Sequence, residues 1–194
     1  MSPKTENQFE AIRQKSRINI KETALELFAQ LGYHSTSISR IAKEAGISKG
    51  LMYNYFDSKK ALLNEIVLDT VEVTETAIID AINSEDPPYE QLKNMMNALT
   101  KSIQDDIPHW KLLTALAVQK DVIEDVQEVV MEKQQEFMRV GLSIFSQLKV
   151  ENPEMEVMFF GALMDGVFLH YLSFPEVYPI EAVKDYILKK YEPK

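Results

Sequence analysis

The short stretch from Ser48 to Tyr55 (SKGLMYNY) combines hydrogen-bond donors with a positive charge. Lys49 carries the charge, two tyrosines carry phenolic hydroxyls, and Asn54 carries an amide that both donates and accepts. Gly50 leaves the backbone open to close approach by a large ligand. These groups suit phosphates and base edges, because a short exposed helix fits the major groove of B-DNA.

Two short helices with a tight turn between them are predicted from Thr36 to Phe56. Gly46 supplies the positive φ that such a turn needs, and Ser48 can accept from the free N–H groups of the second helix. That second helix is expected to be about two turns long. Apolar residues recur at helical spacing along the first helix and would form its buried face. They are Ile38, Ile41, Ala42 and Ala45.

The residues around this helix-turn-helix give further candidates for DNA contact. The N-terminus of its first helix suits a phosphate, and Arg40 could contact the DNA backbone or a base. Capping alone is an equal alternative for Ser37 and Ser48, and core packing is the alternative for Tyr55. The full predicted set is Thr36, Ser37, Arg40, Ser48, Lys49, Gly50, Leu51, Tyr53, Asn54, Tyr55 and Lys59.

The charge is distributed unevenly along the 194 residues, whose formal net charge is −9. Residues 1–60 contain ten Lys or Arg and six Asp or Glu, which gives +4. Residues 61–194 contain eleven Lys or Arg and twenty-four Asp or Glu, which gives −13. Binding to a polyanion therefore belongs to the N-terminal third.

The composition also limits the fold and the kinds of site. The absence of cysteine excludes disulfides and thiolate metal sites. The N-terminal residues MSPKTENQFE have no apolar core of a secretory signal, so a cytoplasmic protein is predicted. Abundant Leu, Ala, Glu and Lys with little Gly favour an all-α fold.

The helix-turn-helix domain is predicted over residues 1–58, with a first helix from about Ala11 to Leu31 that Gly32 ends. Its inward stripe is Ile20, Ala24, Leu27, Phe28 and Leu31. Basic residues near its start either reach a phosphate or are simply solvated. They are Arg13, Lys15 and Arg17.

A second domain is predicted over residues 59–194. A long helix begins at Lys59, capped by Asp57 or Ser58, and ends before the polar loop NSEDPP at residues 83–88. This helix would join the two domains. Further helices are predicted near residues 89–106, 108–120, 122–149, 153–173 and 179–191, which gives about nine helices in all.

The segment Val157 to Phe174 (VMFFGALMDGVFLHYLSF) is apolar nearly all round. Such a helix is buried on both sides or lies in lipid. Asp165 near its middle would cost roughly 3 kcal/mol in a membrane, so no membrane span is expected. Gly161 and Gly166 leave room for another backbone. Burial against a second subunit is therefore predicted.

The residues of the first domain resemble the tetracycline-repressor (TetR) family of bacterial transcription regulators. The resemblance covers roughly residues 12–65. It rests on Ile20, Ala24, Phe28, Gly32, Thr36-Ser37, Ile41-Ala42, Ala45-Gly46, Ser48-Lys49-Gly50, Tyr53, Tyr55-Phe56, Lys59 and Leu62. It implies a homodimer that binds a palindromic operator in double-stranded DNA and pairs through the helices near 153–173 and 179–191. It also implies release of the DNA, as a repressor, when a small effector binds the second domain.

An effector site of apolar character is predicted in the second domain, because Met and aromatic residues recur there at helical spacing. Stripes of this kind more often form a core, which is the alternative. The candidates are Met95, Met96, Leu99, His109, Trp110, Gln134, Phe137, Met138, Met164, Phe168 and Tyr171.

Other functional classes fit the sequence less well. No convergent reactive set or Gly-rich phosphate loop is present, so no catalytic residues, no cofactor and no metal site are predicted. Control by a protein partner instead of a small effector is the main alternative. A metal-sensing regulator is a more remote one.

Overall fold

The computed structural model describes residues 6–117 and 119–193, without the side chains of residues 6, 7, 121, 123, 127, 129, 130, 132–134 and 136. Within these ranges the fold is all-α, as predicted. The helices are α1 (Glu6–Leu31), α2 (Ile38–Glu44), α3 (Lys49–Tyr53), α4 (Lys59–Ala81), α5 (Pro88–Asp105), α6 (Ile107–Ala117), α7 (Lys120–Gln147), α8 (Pro153–Ser173) and α9 (Ile180–Leu188).

The predicted helix ends are confirmed by their capping contacts. Gly32 follows α1 with φ 87°, and Gly46 lies between α2 and α3 with φ 73°. The Ser48 hydroxyl accepts from the backbone N–H of Leu51 at 3.1 Å, at the start of α3. Ser58, rather than Asp57, caps α4. Residue type and local hydrogen bonds therefore account for these particular helix ends.

Some helix lengths differ from the prediction. α3 has five residues, fewer than the two turns expected, and Asn54 is its C-cap. α1 begins at Glu6, ahead of Ala11. α6 begins at Ile107, so Pro108 occupies the first turn, where its missing N–H costs nothing.

The chain divides into two compact units. Unit 1 contains the described residues up to Asp69 together with Leu112–Gln127, and unit 2 contains Thr70–Lys111 and the described residues from Glu128 onward. The helices α4, α6 and α7 each contribute residues to both units. The domain division placed between residues 58 and 59 stays a prediction.

Unit 1 has its own core, which contains the inward stripe of α1, except for exposed Leu31. Residues from far along the chain complete it. These are Leu116, Val122 and Val126, all buried. The core of the helix-turn-helix unit therefore depends on the segment 112–127 as well as on the first 69 residues.

The core of unit 2 is formed by α5, α8 and α9 with parts of α4 and α7. α8 buries Phe160, Met164 and Val167 on one face and exposes Met158 and Phe159 on another. Among the described helices, α8 is the one that is long and apolar enough to cross a membrane by length and composition, and 28% of its most apolar window is buried.

Candidate nucleic-acid interface

The short helix α3 has one face in the core and one in solvent. Met52 is fully buried and Phe56, just after the helix, is nearly so. Leu51 and Tyr53 are exposed by 40% and 47%, and Lys49 is exposed beside them. Gly50 and Asn54 are also exposed. The structure therefore places most of the predicted α3 contact residues on one accessible surface, while the ring of Tyr55 is half-buried.

Gly50 is not required by the fold of α3. A Cβ atom built at this position has no neighbour within 4 Å, and its φ is not positive. A helix that contains glycine in place of alanine is less stable by about 0.5–1 kcal/mol. Gly50 therefore lowers the stability of α3, at an exposed position where packing within the protein does not require glycine.

The N-terminus of α2 lies on the exposed part of unit 1. Ser37 is the N-cap, and its hydroxyl accepts from the N–H of Arg40 at 3.2 Å. Ser37 and Arg40 are both exposed. The serine hydroxyls at positions 37 and 48 thus have the capping role that was one of their two predicted alternatives.

Thr36 does not present its hydroxyl to solvent. The residue is 1% exposed, and its Oγ1 lies 2.9 Å from the carbonyl oxygen of Gly32 and 3.2 Å from that of Leu27, either of which can accept its single proton. In this structure the hydroxyl faces backbone carbonyls at the end of α1 and just after it, so a side-chain contact from Thr36 to DNA stays a prediction that the burial does not favour.

Lys59 points toward the loop between α1 and α2. Its Nζ donates to the backbone carbonyls of Tyr33 at 2.8 Å, His34 at 3.3 Å and Thr36 at 3.1 Å. The same ammonium lies 4.3 Å from the centre of the Tyr33 ring. This arrangement holds the loop that leads into α2, so a positioning role accounts for Lys59 better than the direct DNA contact predicted from the sequence.

Arg17 anchors the end of α3 to α1 and α4. Its Nη1 donates to the carbonyl of Tyr55 at 2.9 Å, and its guanidinium lies 4.7 Å from the centre of the Phe56 ring. Its Nη2 forms an ion pair with Glu65. The sequence suggested only a phosphate contact or a solvated charge, because no local pattern reveals partners 38 and 48 residues away.

Most of the predicted effector residues lie together in unit 2. Met95, Met96, Met164 and Tyr171 are buried in its core, and four partly buried residues pack against that core. Those four are Leu99, Trp110, Phe137 and Phe168. The Trp110 indole N–H donates to the carbonyl of Ser102 at 3.0 Å.

His109 and Met138 are not members of this hydrophobic cluster. The Nε2 of His109 lies 3.1 Å from the Thr70 hydroxyl, and that hydrogen bond occupies one ring nitrogen. Met138 is half-buried. The side chain of Gln134 lies outside the described residues.

Four ionisable groups among the described residues of unit 2 have shifted pKa values: Tyr89, Asp165, Glu181 and Tyr191. Burial, helped by Glu156, raises the pKa of the Tyr191 hydroxyl, which donates to Glu156 at 2.6 Å. Burial also raises the pKa of Asp165 above its usual value of 3.8. In the described part of the chain, no group of three or more His, Asp or Glu residues could hold a metal ion.

A match to a known protein family lies within unit 1. Residues 20–66 match the family described as bacterial regulatory proteins, tetR family. An uncharacterised HTH-type transcriptional regulator of Bacillus subtilis, YuxN, is 41% identical over 92 residues, which are 47% of this chain and 31% of that protein. The chain thus spans about a third of the length of this curated relative.

Two solved structures show the same fold over nearly the whole chain. NalD of Pseudomonas aeruginosa, the secondary repressor of the MexAB-OprM multidrug efflux pump, has a TM-score of 0.76 at 22% identity. That alignment covers 92% of this chain and 94% of NalD. The fatty acid degradation regulator FadR of Bacillus halodurans has a TM-score of 0.72 at 18% identity, covering 98% and 96% of the two chains.

Proposed function

We propose that the chain is a cytoplasmic, DNA-binding transcriptional regulator of the tetR family of bacterial regulatory proteins, which its residues 20–66 match. It binds a palindromic operator as a homodimer and acts as a repressor. A small apolar effector, bound in unit 2, releases it from the DNA. The DNA-binding role is proposed mainly because one surface of α3 is exposed. The opposite side of α3 is held in place by buried Met52 and Phe56 and by the bond from Arg17 to the Tyr55 carbonyl.

The α3 surface offers groups of the right kind for DNA. Lys49 and Arg40 are exposed and, among the described residues, form no ion pair that would compete with a phosphate. Tyr53 offers a hydroxyl to a phosphate, and Asn54 can pair with the edge of an adenine. The anchor of Arg17 on Tyr55 fixes the far end of α3, so that these groups are presented without a large ordering cost.

Unit 2 supports self-association through α8. Met155, Met158, Phe159 and Leu169 are all more than half exposed, and they lie along one side of the helix. A Cβ atom at Gly161 or at Gly166 would meet nothing within 4 Å. An exposed apolar stripe of this length marks an interface, and a second copy of the same helix can cover it in an isologous contact.

The test of DNA binding begins with capture of genomic DNA fragments by the purified full-length protein, followed by sequencing of the bound fragments. Fluorescence anisotropy with a captured duplex then compares wild type with Lys49→Ala and Tyr53→Phe. Both variants should bind more weakly while unfolding at the wild-type temperature. Lys101→Ala, which removes an exposed lysine on α5 in unit 2, is the matched control and should bind as wild type does.

Salt and Gly50 give two independent checks. A lost phosphate contact lowers the magnitude of the slope of log K against log salt by about 1. Lys49→Ala should show this change and Lys101→Ala should not.

Gly50→Ala should leave the fold intact, since its Cβ has open space, yet weaken DNA binding if the backbone closely approaches the DNA. Wild-type affinity in all three α3 variants would refute the assignment of this surface.

A further inference from the structure

The hydroxyl of Thr100 is buried without a hydrogen-bond partner among the described residues. Thr100 lies in α5 and is 2% exposed, and its Oγ1 is shielded from solvent. A threonine in a helix can bond the carbonyl four residues earlier, as Thr74 does with Thr70 at 2.9 Å. Thr100 has no such bond. A buried polar group of this kind requires an explanation, and a missing ligand is one of the few available.

The surroundings of Thr100 are apolar. It shares the buried face of α5 with Leu92, Met96 and Ile103, which all belong to the core cluster of unit 2. That cluster of hydrophobic residues also contains most of the predicted effector residues. Two polar side chains of α6 in the same unit have partners of their own, since the Trp110 indole donates to the Ser102 carbonyl and His109 bonds Thr70.

We infer that the Thr100 hydroxyl is the hydrogen-bonding anchor of an effector site in unit 2, and that the effector is an uncharged, apolar molecule with one hydroxyl or carbonyl group. This inference rests on the proposed function, in which unit 2 binds an effector. A hydroxyl can donate to a carbonyl or pair with another hydroxyl. A carboxylate or an ammonium in the same place would lose its hydration beside the apolar side chains that share this face of α5.

The experiment uses the purified full-length chain and three aliphatic probes that share a ten-carbon body: decanol, decanone and decanoate. Binding is measured by thermal shift and by isothermal titration calorimetry. Thr100→Val keeps the shape of the side chain and removes the hydroxyl, whereas Thr100→Ser keeps the hydroxyl. Thr74→Val is the matched control, because it removes a buried hydroxyl that has a backbone partner.

Decanol and decanone should bind wild type and Thr100→Ser, bind Thr100→Val roughly tenfold more weakly, and bind Thr74→Val as they bind wild type. Decanoate should bind none of these proteins well. Without a probe, Thr100→Val should unfold at the wild-type temperature or above it, since no hydrogen bond is lost. Thr74→Val should unfold at a lower temperature.

The inference is overturned if Thr100→Val binds decanol as tightly as wild type does, if neither neutral probe binds wild type, or if decanoate binds best. It is also overturned if Thr100→Val is clearly less stable than wild type, because the hydroxyl would then have a partner within the protein. DNA capture without any probe tests the proposed regulatory function separately. A protein that binds DNA but fails these tests loses only the Thr100 site.

Discussion

The side-chain carbonyl of Gln119 accepts a hydrogen bond from the backbone N–H of Tyr33 at 2.7 Å. The amide nitrogen of the same Gln119 side chain donates to the carbonyl of Phe28 at 3.1 Å, near the end of α1. One side chain therefore bonds the last turn of α1 and the loop that follows it. The Tyr33 hydroxyl adds a bond to Asp125 at 2.7 Å, so the segment 112–127 holds this loop at several points.

Gln119→Ala should destabilise unit 1 by about 1–3 kcal/mol, because it removes the acceptor of the Tyr33 N–H and one of the two donors to the Phe28 carbonyl, which also accepts the N–H of Gly32. The measurement is urea unfolding followed by circular dichroism. Gln147→Ala is the matched control, since that exposed amide bonds only within its own helix. Equal stability of the two variants would contradict a role for Gln119 in holding the loop.

Lys59→Met should lower the stability of unit 1 by about 2 kcal/mol, because it removes an ammonium that donates to three carbonyls and keeps the apolar stem. DNA affinity should fall as a consequence, through the displaced start of α2. Thermal unfolding and DNA anisotropy are measured on the same samples.

Lys43→Met serves as the control for stability, because Lys43 is exposed and forms no ion pair among the described residues. It should unfold at the wild-type temperature. If Lys59→Met also unfolds at the wild-type temperature but binds DNA weakly, Lys59 contacts DNA directly and the positioning role is wrong.

The sequence predicts the parts of this protein that depend on neighbours along the chain. The turn at Gly46, the caps at Ser37 and Ser48, and the buried face of α1 all follow from residue type and helical spacing. They are also among the residues on which the resemblance to the tetR family rests, and residues 20–66 match that family.

The contacts that fix the α3 surface could not be predicted in this way. Arg17 meets the carbonyl of Tyr55 across 38 positions, and Gln119 meets Tyr33 across 86. A polar side chain has many possible partners in a sequence, and only the packing of the helices brings one of them close. For the same reason Thr36 and Lys59 were assigned to DNA, although the fold turns both toward the protein.

Gly141→Ala should be destabilising unless its neighbour is trimmed. A Cβ atom at Gly141, in α7, would lie 3.1 Å from Cγ1 and 3.3 Å from Cγ2 of Val157, in α8. Overpacking of this kind costs about 1–3 kcal/mol, against a gain of about 1 kcal/mol from replacing glycine in a helix. The double variant Gly141→Ala/Val157→Ala should therefore be more stable than the sum of the single changes indicates.

A double-mutant cycle in urea measures this coupling, which should be about 1 kcal/mol in favour of the double variant. Gly166→Ala is the control, because its Cβ would have open space within the protomer. Its effect should add independently to that of Val157→Ala. Additive behaviour of Gly141 and Val157 would show that α7 and α8 are not in close contact at this point.

Asp165→Asn should strengthen self-association. It should also remove the change in association strength with pH in the acid range. Asp165 is an exposed carboxylate on α8, beside the apolar stripe that we propose as the dimer contact, and partial burial already raises its pKa above 3.8. Dimerisation buries it further and raises the pKa more, so the dimer binds more protons than two separate protomers do. Association should thus be strongest at acid pH and weaken as the pH rises through the elevated pKa of Asp165.

Sedimentation equilibrium across this pH range, with circular dichroism to confirm folding, measures the effect. Glu154→Gln, at the start of the same helix, should leave the pH dependence unchanged. Weaker association of Asp165→Asn at neutral pH would instead mean that Asp165 pairs with a positive group of the second copy.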